Sequence, residues 1–83
     1  MSLADQVREY CYETYILPAQ NENKQTFEIK TGDVHKALNF KNRYPLVCSA
    51  IGATIFEETY GLERVNVYGP LNGANTLFLF KFK

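Results

Sequence analysis

At Gly61 the hydrophobic period of this chain changes, and no purely helical or purely β fold accommodates both sides of that point. Upstream, most apolar residues recur at spacings of three and four, which places them on one side of a helix. Downstream, Val65 and Val67 alternate with Arg64, Asn66 and Tyr68, and Phe78, Phe80 and Phe82 alternate with Leu77, Leu79, Lys81 and Lys83. Between these runs lie residues 69–75, rich in Gly, Pro and Asn. Two alternating runs joined by such a segment read as a β-hairpin.

The upstream part divides at its breakers. Ser2 and Asp5 have the spacing of a reciprocal helix cap, and Leu3, Val7, Cys11 and Tyr15 repeat every four residues, which predicts a helix over residues 3–16 stopped by Pro18. Residues 19–25 are polar and read as a surface loop. Phe27 and Ile29 alternate with Glu28 and Lys30, a short strand over residues 26–30. Thr31, Gly32 and Asp33 then read as a cap and acidic first turn, with Val34, Ala37 and Leu38 forming a second helix that ends near Asn39. Asn42 is a plausible cap for a third helix that tolerates Pro45 in its first turn and runs to Gly61. On that helix Tyr44, Val47, Ile51, Thr54 and Ile55 share one face, with Pro45, Ser49, Gly52, Ala53 and Phe56 roughly opposite. The expected core is Val7, Cys11, Ile29, Val34, Leu38, Val47, Ile51, Ile55, Val65, Val67 and alternate phenylalanines of the last strand.

Eighty-three residues with 46% hydrophobic and 14% aromatic content make a single folded domain over residues 1–83, with little room beyond three helices and a small sheet. Nine basic against nine acidic side chains exclude a bulk electrostatic drive onto nucleic acid or anionic membrane, so any such binding needs a local patch. Cys11 and Cys48 have no zinc-type spacing and read as buried thiols of a cytoplasmic protein. The longest uncharged run, residues 65–80, is interrupted by Gly69, Pro70 and Gly73 and does not suit a membrane helix. No signal peptide is expected, and residues 1–3, which are partly leader-like, receive no functional weight. Phosphate loops, paired catalytic carboxylates and repeats are absent from the sequence, so neither an enzyme nor a cofactor is expected.

The order helix, short strand, helix, turn, helix, hairpin resembles the winged helix domain, a helix-turn-helix variant. The resemblance spans nearly the whole chain. It is most specific from Thr31 to Leu38 and from Lys41 through Asn42, Arg43, Tyr44 and Pro45 to Ile51, which look like the second and third helices of that motif, and Tyr60-Gly61-Leu62 looks like the helix end before the wing. The run Asn-Arg-Tyr-Pro-Leu-Val-Cys-Ser-Ala and the Gly-Ala-Asn-Thr before the last strand are similar to those of a small uncharacterised prokaryotic stand-alone family of winged helix proteins. The resemblance implies an α+β fold of three helices and a three-stranded antiparallel sheet in which the short first strand pairs with the hairpin. It implies DNA binding or a protein partner, since domains of this fold do either.

Charge is segregated on this order. Residues 24–43 carry Lys24, Lys30, Lys36, Lys41 and Arg43 against two acids, whereas residues 44–63 carry three acids and no base. The basic segment coincides with the second helix and the head of the third, where a helix-turn-helix meets phosphates and base edges. Arg43 is the leading candidate for base or phosphate contact, with an ion pair to Asp33 or a glutamate as the alternative, and Asn42 reads an adenine edge or only caps. Lys36 and Lys41 clamp phosphates or are merely solvated, and Ser49 on the outer side of the third helix completes the candidate DNA contacts. Asn72, Gly73 and Asn75 touch a groove or supply positive φ to the turn. His35 reads as a helix-surface residue rather than half of a Cys/His pair with Cys48.

Three features oppose easy DNA binding: the expected wing has no charge, the third helix exposes small and apolar residues, and it ends in Glu57 and Glu58. Two functions therefore compete, a DNA-binding winged helix of accessory or regulatory role and a protein-interaction module of the same fold. The apolar last strand, if it lies at an edge, also predicts a weak homodimer through strand pairing.

Overall fold

The computed structural model describes residues 2–83, so Met1 lies outside it. Its first helix, α1, covers residues 3–21 in three continuous parts: α-helical Leu3–Cys11, a wide π-helical turn Tyr12–Ile16, and α-helical Leu17–Asn21. The Ser2 hydroxyl caps it by accepting the Asp5 amide at 3.0 Å. Pro18 does not stop this helix, contrary to the sequence expectation. The π turn, in which the Leu17 amide donates to the Tyr12 carbonyl, takes up the step in the ladder where proline has no amide to give, and Pro18 falls in the first turn of the last part. The helix ends instead on Asn23, at φ 57°, where the Lys24 amide reaches back to the Ala19 carbonyl (2.9 Å).

The remaining elements are β1 (Thr26–Lys30), α2 (Thr31–Ala37), α3 (Tyr44–Gly52), α4 (Thr54–Tyr60), β2 (Leu62–Tyr68) and β3 (Leu77–Phe82). The chain is thus α+β, with four helices and one three-stranded antiparallel sheet in the order β1-β3-β2. The expected third helix is two. Ala53 is extended (φ −73°, ψ 142°), directly after Gly52, a weak helix former. This break turns α4 so that Phe56 is wholly buried, edge-on to Phe80 at 5.4 Å between ring centroids, while Ile55 is 53% exposed. The expected placement of Ile55 inside and Phe56 outside is therefore reversed. Gly61, at φ 65°, ends α4 in the left-handed region, as expected.

A bulge at Val65 likewise overturns the expected alternation of β2. Arg64 pairs with Phe80 and Asn66 with Leu79, so Val65 is left out of the register and is 49% exposed. The extra residue puts Leu62, Arg64 and Val67 on the side of Phe82, Phe80 and Phe78, and sends Glu63, Asn66 and Tyr68 to the other. Val65 leaves the predicted core for that reason, Val67 joins only its margin, and Leu38 is likewise only partly buried. Val7, Cys11, Ile29, Val34, Val47, Ile51, Phe78 and Phe80 form the core as expected, together with Ile16, Phe27 and Leu62. Because β3 is the central strand, both its edges are paired, and the exposed edge on which strand-paired dimerisation was predicated does not exist. The helix α1 tyrosines pack on the core rather than over the outer sheet face, where Leu77 and Leu79 are half-buried between Lys30, Tyr68, Glu28 and Asn66 of the flanking strands. Among the described residues no helix is long and apolar enough to cross a membrane.

Candidate nucleic-acid interface

The turn between α2 and α3 is organised around His35. This side chain is buried, which corrects its assignment to the helix surface. Its ring stacks on Tyr44 at 4.0 Å, meets Phe40 edge-on at 5.9 Å, and its Nε2 accepts the Arg43 amide at 3.1 Å. The imidazole therefore satisfies the backbone at the head of α3, a task expected of Asn42. Asn42 is instead in the left-handed region (φ 55°), as is Asn39 (φ 57°), whose Schellman turn ends α2. Arg43 occupies the cap position of α3 without a side-chain capping bond.

Thr31 is not a cap either. It is wholly buried, and its hydroxyl donates to the Gly73 carbonyl at 2.6 Å while lying 3.2 Å from the Thr76 carbonyl. The Thr31 amide donates to that same Thr76 carbonyl and the Gly32 amide to Ala74, both at 3.0 Å. A Cβ at Gly32 would stand 2.5 Å from the Ala74 oxygen, so only glycine allows this approach. Thr76, also wholly buried, hydrogen-bonds the Pro70 carbonyl and accepts the Gly73 amide at 3.2 Å. The β2–β3 loop is thereby fastened to the first turn of α2. Of the loop residues expected to take positive φ, Asn72 does so (60°) but Gly73 and Asn75 do not; Gly69, which is not among them, takes it at 83°.

Three of the five sequence-predicted residues line two open clefts that flank the loop. Lys36 and Lys41 line the first, of about 470 Å3, with Tyr44 and Ala74. Ser49 lines the second, of about 370 Å3, together with Arg64 of β2 and Asn72 of the loop. Asn42 and Arg43 lie outside both clefts, exposed at the head of α3. Arg43 makes no ion pair to Asp33 or to any glutamate; the ion pairs among the described residues are Arg8–Asp5, Lys24–Glu22 and Lys81–Glu63. Lys36, Lys41, Arg43 and Arg64 thus all keep their charge uncompensated.

Arg64 is the residue that sequence reasoning missed. Strict alternation assigns it away from the valines, whereas the bulge directs it to the face of the helices, where its guanidinium crosses Gly52: a Cβ there would lie 3.3 Å from the Arg64 Nη1. Strand β2 thus supplies, at the base of the β2–β3 loop, the cation that the loop itself lacks. The acidic pair also changes its meaning, because Glu57 and Glu58 belong to α4 and not to the neutral helix α3, and the Glu57 carboxylate accepts the Arg64 amide at 3.3 Å.

Cys11 and Cys48 are buried and unbonded, and burial pushes the Cys11 thiol up to about 12. Among the described residues no cluster of histidine, cysteine, aspartate or glutamate is placed to hold a metal ion. Comparison with protein families, with curated proteins and with solved structures found no match to this chain.

Proposed function

We propose that this chain is a winged helix domain that binds duplex DNA, in an accessory or regulatory role without catalysis, through the head of α3. The observation that carries the reading is the set of uncompensated cations around that helix: Lys36 and Lys41 in the cleft on one side, Arg43 at its start, and Arg64 in the cleft on the other. The three-stranded antiparallel sheet in which β1 pairs with the hairpin supports the reading, and the element order departs from a winged helix of three helices where the third breaks into α3 and α4; the fastened loop would serve as the wing. Asn42 and Ser49 are exposed beside these cations and are able to donate to base edges or phosphates.

Four phosphate contacts give a log-log salt slope of about −3.6, so a monomer binds weakly and a second copy would double the contacts. Titration of a fluorescent duplex at low and at physiological salt tests this. Binding with that slope, lost in Lys41→Ala with Arg43→Ala and reduced by one unit of contact in Arg64→Ala while the circular dichroism is retained, is the expected result. Absence of binding at low salt, or binding indifferent to these changes, favours the second reading, a protein-interaction module of the same fold. That reading draws on the neutral helix α3 and on Leu71 of the loop, which is 73% exposed beside the second cleft.

A further inference from the structure

A groove of about 450 Å3 runs between α1 and α4 and shares no residue with either cleft of the candidate interface. The stacked rings of Tyr12 and Tyr60, 4.9 Å apart, form its apolar floor, and Ile55 on its α4 wall is 53% exposed. Its α1 wall is acidic. Asp5 is held by Arg8 at 3.1 Å, and a second Arg8 nitrogen donates to the Ala50 carbonyl at 3.2 Å, but Glu9 and Glu13, one turn apart, have no ion-pair partner among the described residues. Burial first, and then the Glu9 carboxylate, push the Tyr60 phenol up from its ordinary value.

An apolar floor beside a helix wall on which two unpaired carboxylates stand one turn apart selects an occupant with apolar side chains and charges of opposite sign at matching spacing. We propose that this groove docks a helical segment of a partner protein carrying apolar side chains at i and i+4 flanked by lysine or arginine. A second copy of this chain does not fit that description. Its exposed large apolar side chains are Leu17, Ile55, Val65, Tyr68 and Leu71, whereas its cations without an ion pair include Lys36, Lys41 and Arg43 around the α2–α3 turn and Arg64 on the strand β2, so no helix presents both together. The domain would then carry DNA on one surface and a basic helix on another.

The test is an NMR titration of the isotope-labelled protein with a synthetic helical peptide bearing leucine at i and i+4 and lysine beside them. Saturable shifts confined to amides of α1 and α4, weakened about tenfold by Glu9→Gln with Glu13→Gln and abolished by Ile55→Ser, are the expected result. All three positions are polar or exposed, so these variants fold. Equal binding of a peptide with glutamate in place of lysine, shifts centred elsewhere, or no saturation would overturn the proposal. So would concentration-dependent shifts of the same amides without peptide, which would give the groove to a second copy.

Discussion

Ile55 and Phe56 are adjacent, and the break at Ala53 assigns them opposite fates, so truncating each to alanine measures the break. Phe56 is wholly buried against Phe80 and Tyr60, and Phe→Ala at such a site costs about 3–5 kcal/mol. Ile55 is 53% exposed; about half of the burial of three carbons is lost, roughly 1 kcal/mol, and the better helix propensity of alanine offsets about 0.4 kcal/mol of it. For a domain of this size each kcal/mol lowers Tm by about 4–8 °C, so Phe56→Ala should lower it by at least about 12 °C and Ile55→Ala by no more than about 5 °C. Thermal denaturation followed by circular dichroism reads both. Should Phe56→Ala fail to fold, Phe56→Leu keeps most of the volume and should cost about 1 kcal/mol. A continuous helix through Ala53 demands the reverse order, and a larger loss at Ile55 than at Phe56 would refute the break.

Thr31→Val keeps the shape of a wholly buried side chain but removes the donor to Gly73, whose carbonyl then retains only the long bond from the Thr76 amide at 3.4 Å. We expect a loss of about 1–2 kcal/mol in urea denaturation and, under the proposed function, weaker DNA binding with it, because the loop is released from α2. Alkali should destabilise the domain: burial raises the Cys11 thiol from 9.0 to about 12, and burial followed by repulsion from Tyr10 raises Tyr15 from 10.0 to about 12. Between those values the unfolded chain sheds protons that the folded one keeps, so stability is complete below pH 9.0 and falls as pH rises toward 12. Urea midpoints that stay constant across this window would contradict it, and Cys11→Ala should flatten the fall.

The sequence by itself determined the succession of helical and strand segments and the three strands of the sheet, but not the division of the third helical segment into two. Alternation in β1 and β3 placed those strands to the residue or nearly so, since side chains of period two are sorted by burial wherever one face is covered. Period-four apolar rows located α1 and α2, and the left-handed cap at Gly61 was legible because only glycine takes that conformation freely. The basic segment was legible too, as charge on a known order of elements. Tertiary structure decided what local pattern leaves degenerate. A π turn let α1 pass Pro18; an extended Ala53 exchanged Ile55 for Phe56; a bulge at Val65 sent Arg64 across Gly52 and into the candidate site. Each is an insertion or a break of one step, invisible in a periodicity that is correct on either side of it, and adopted because it buries one large side chain or frees one backbone group. His35 belongs to the same class: a single histidine on a short helix reads as surface until Tyr44 and Phe40 close over it and the Arg43 amide needs an acceptor. Periodicity is a local property of the chain, whereas register and rotation are fixed by what each element packs against.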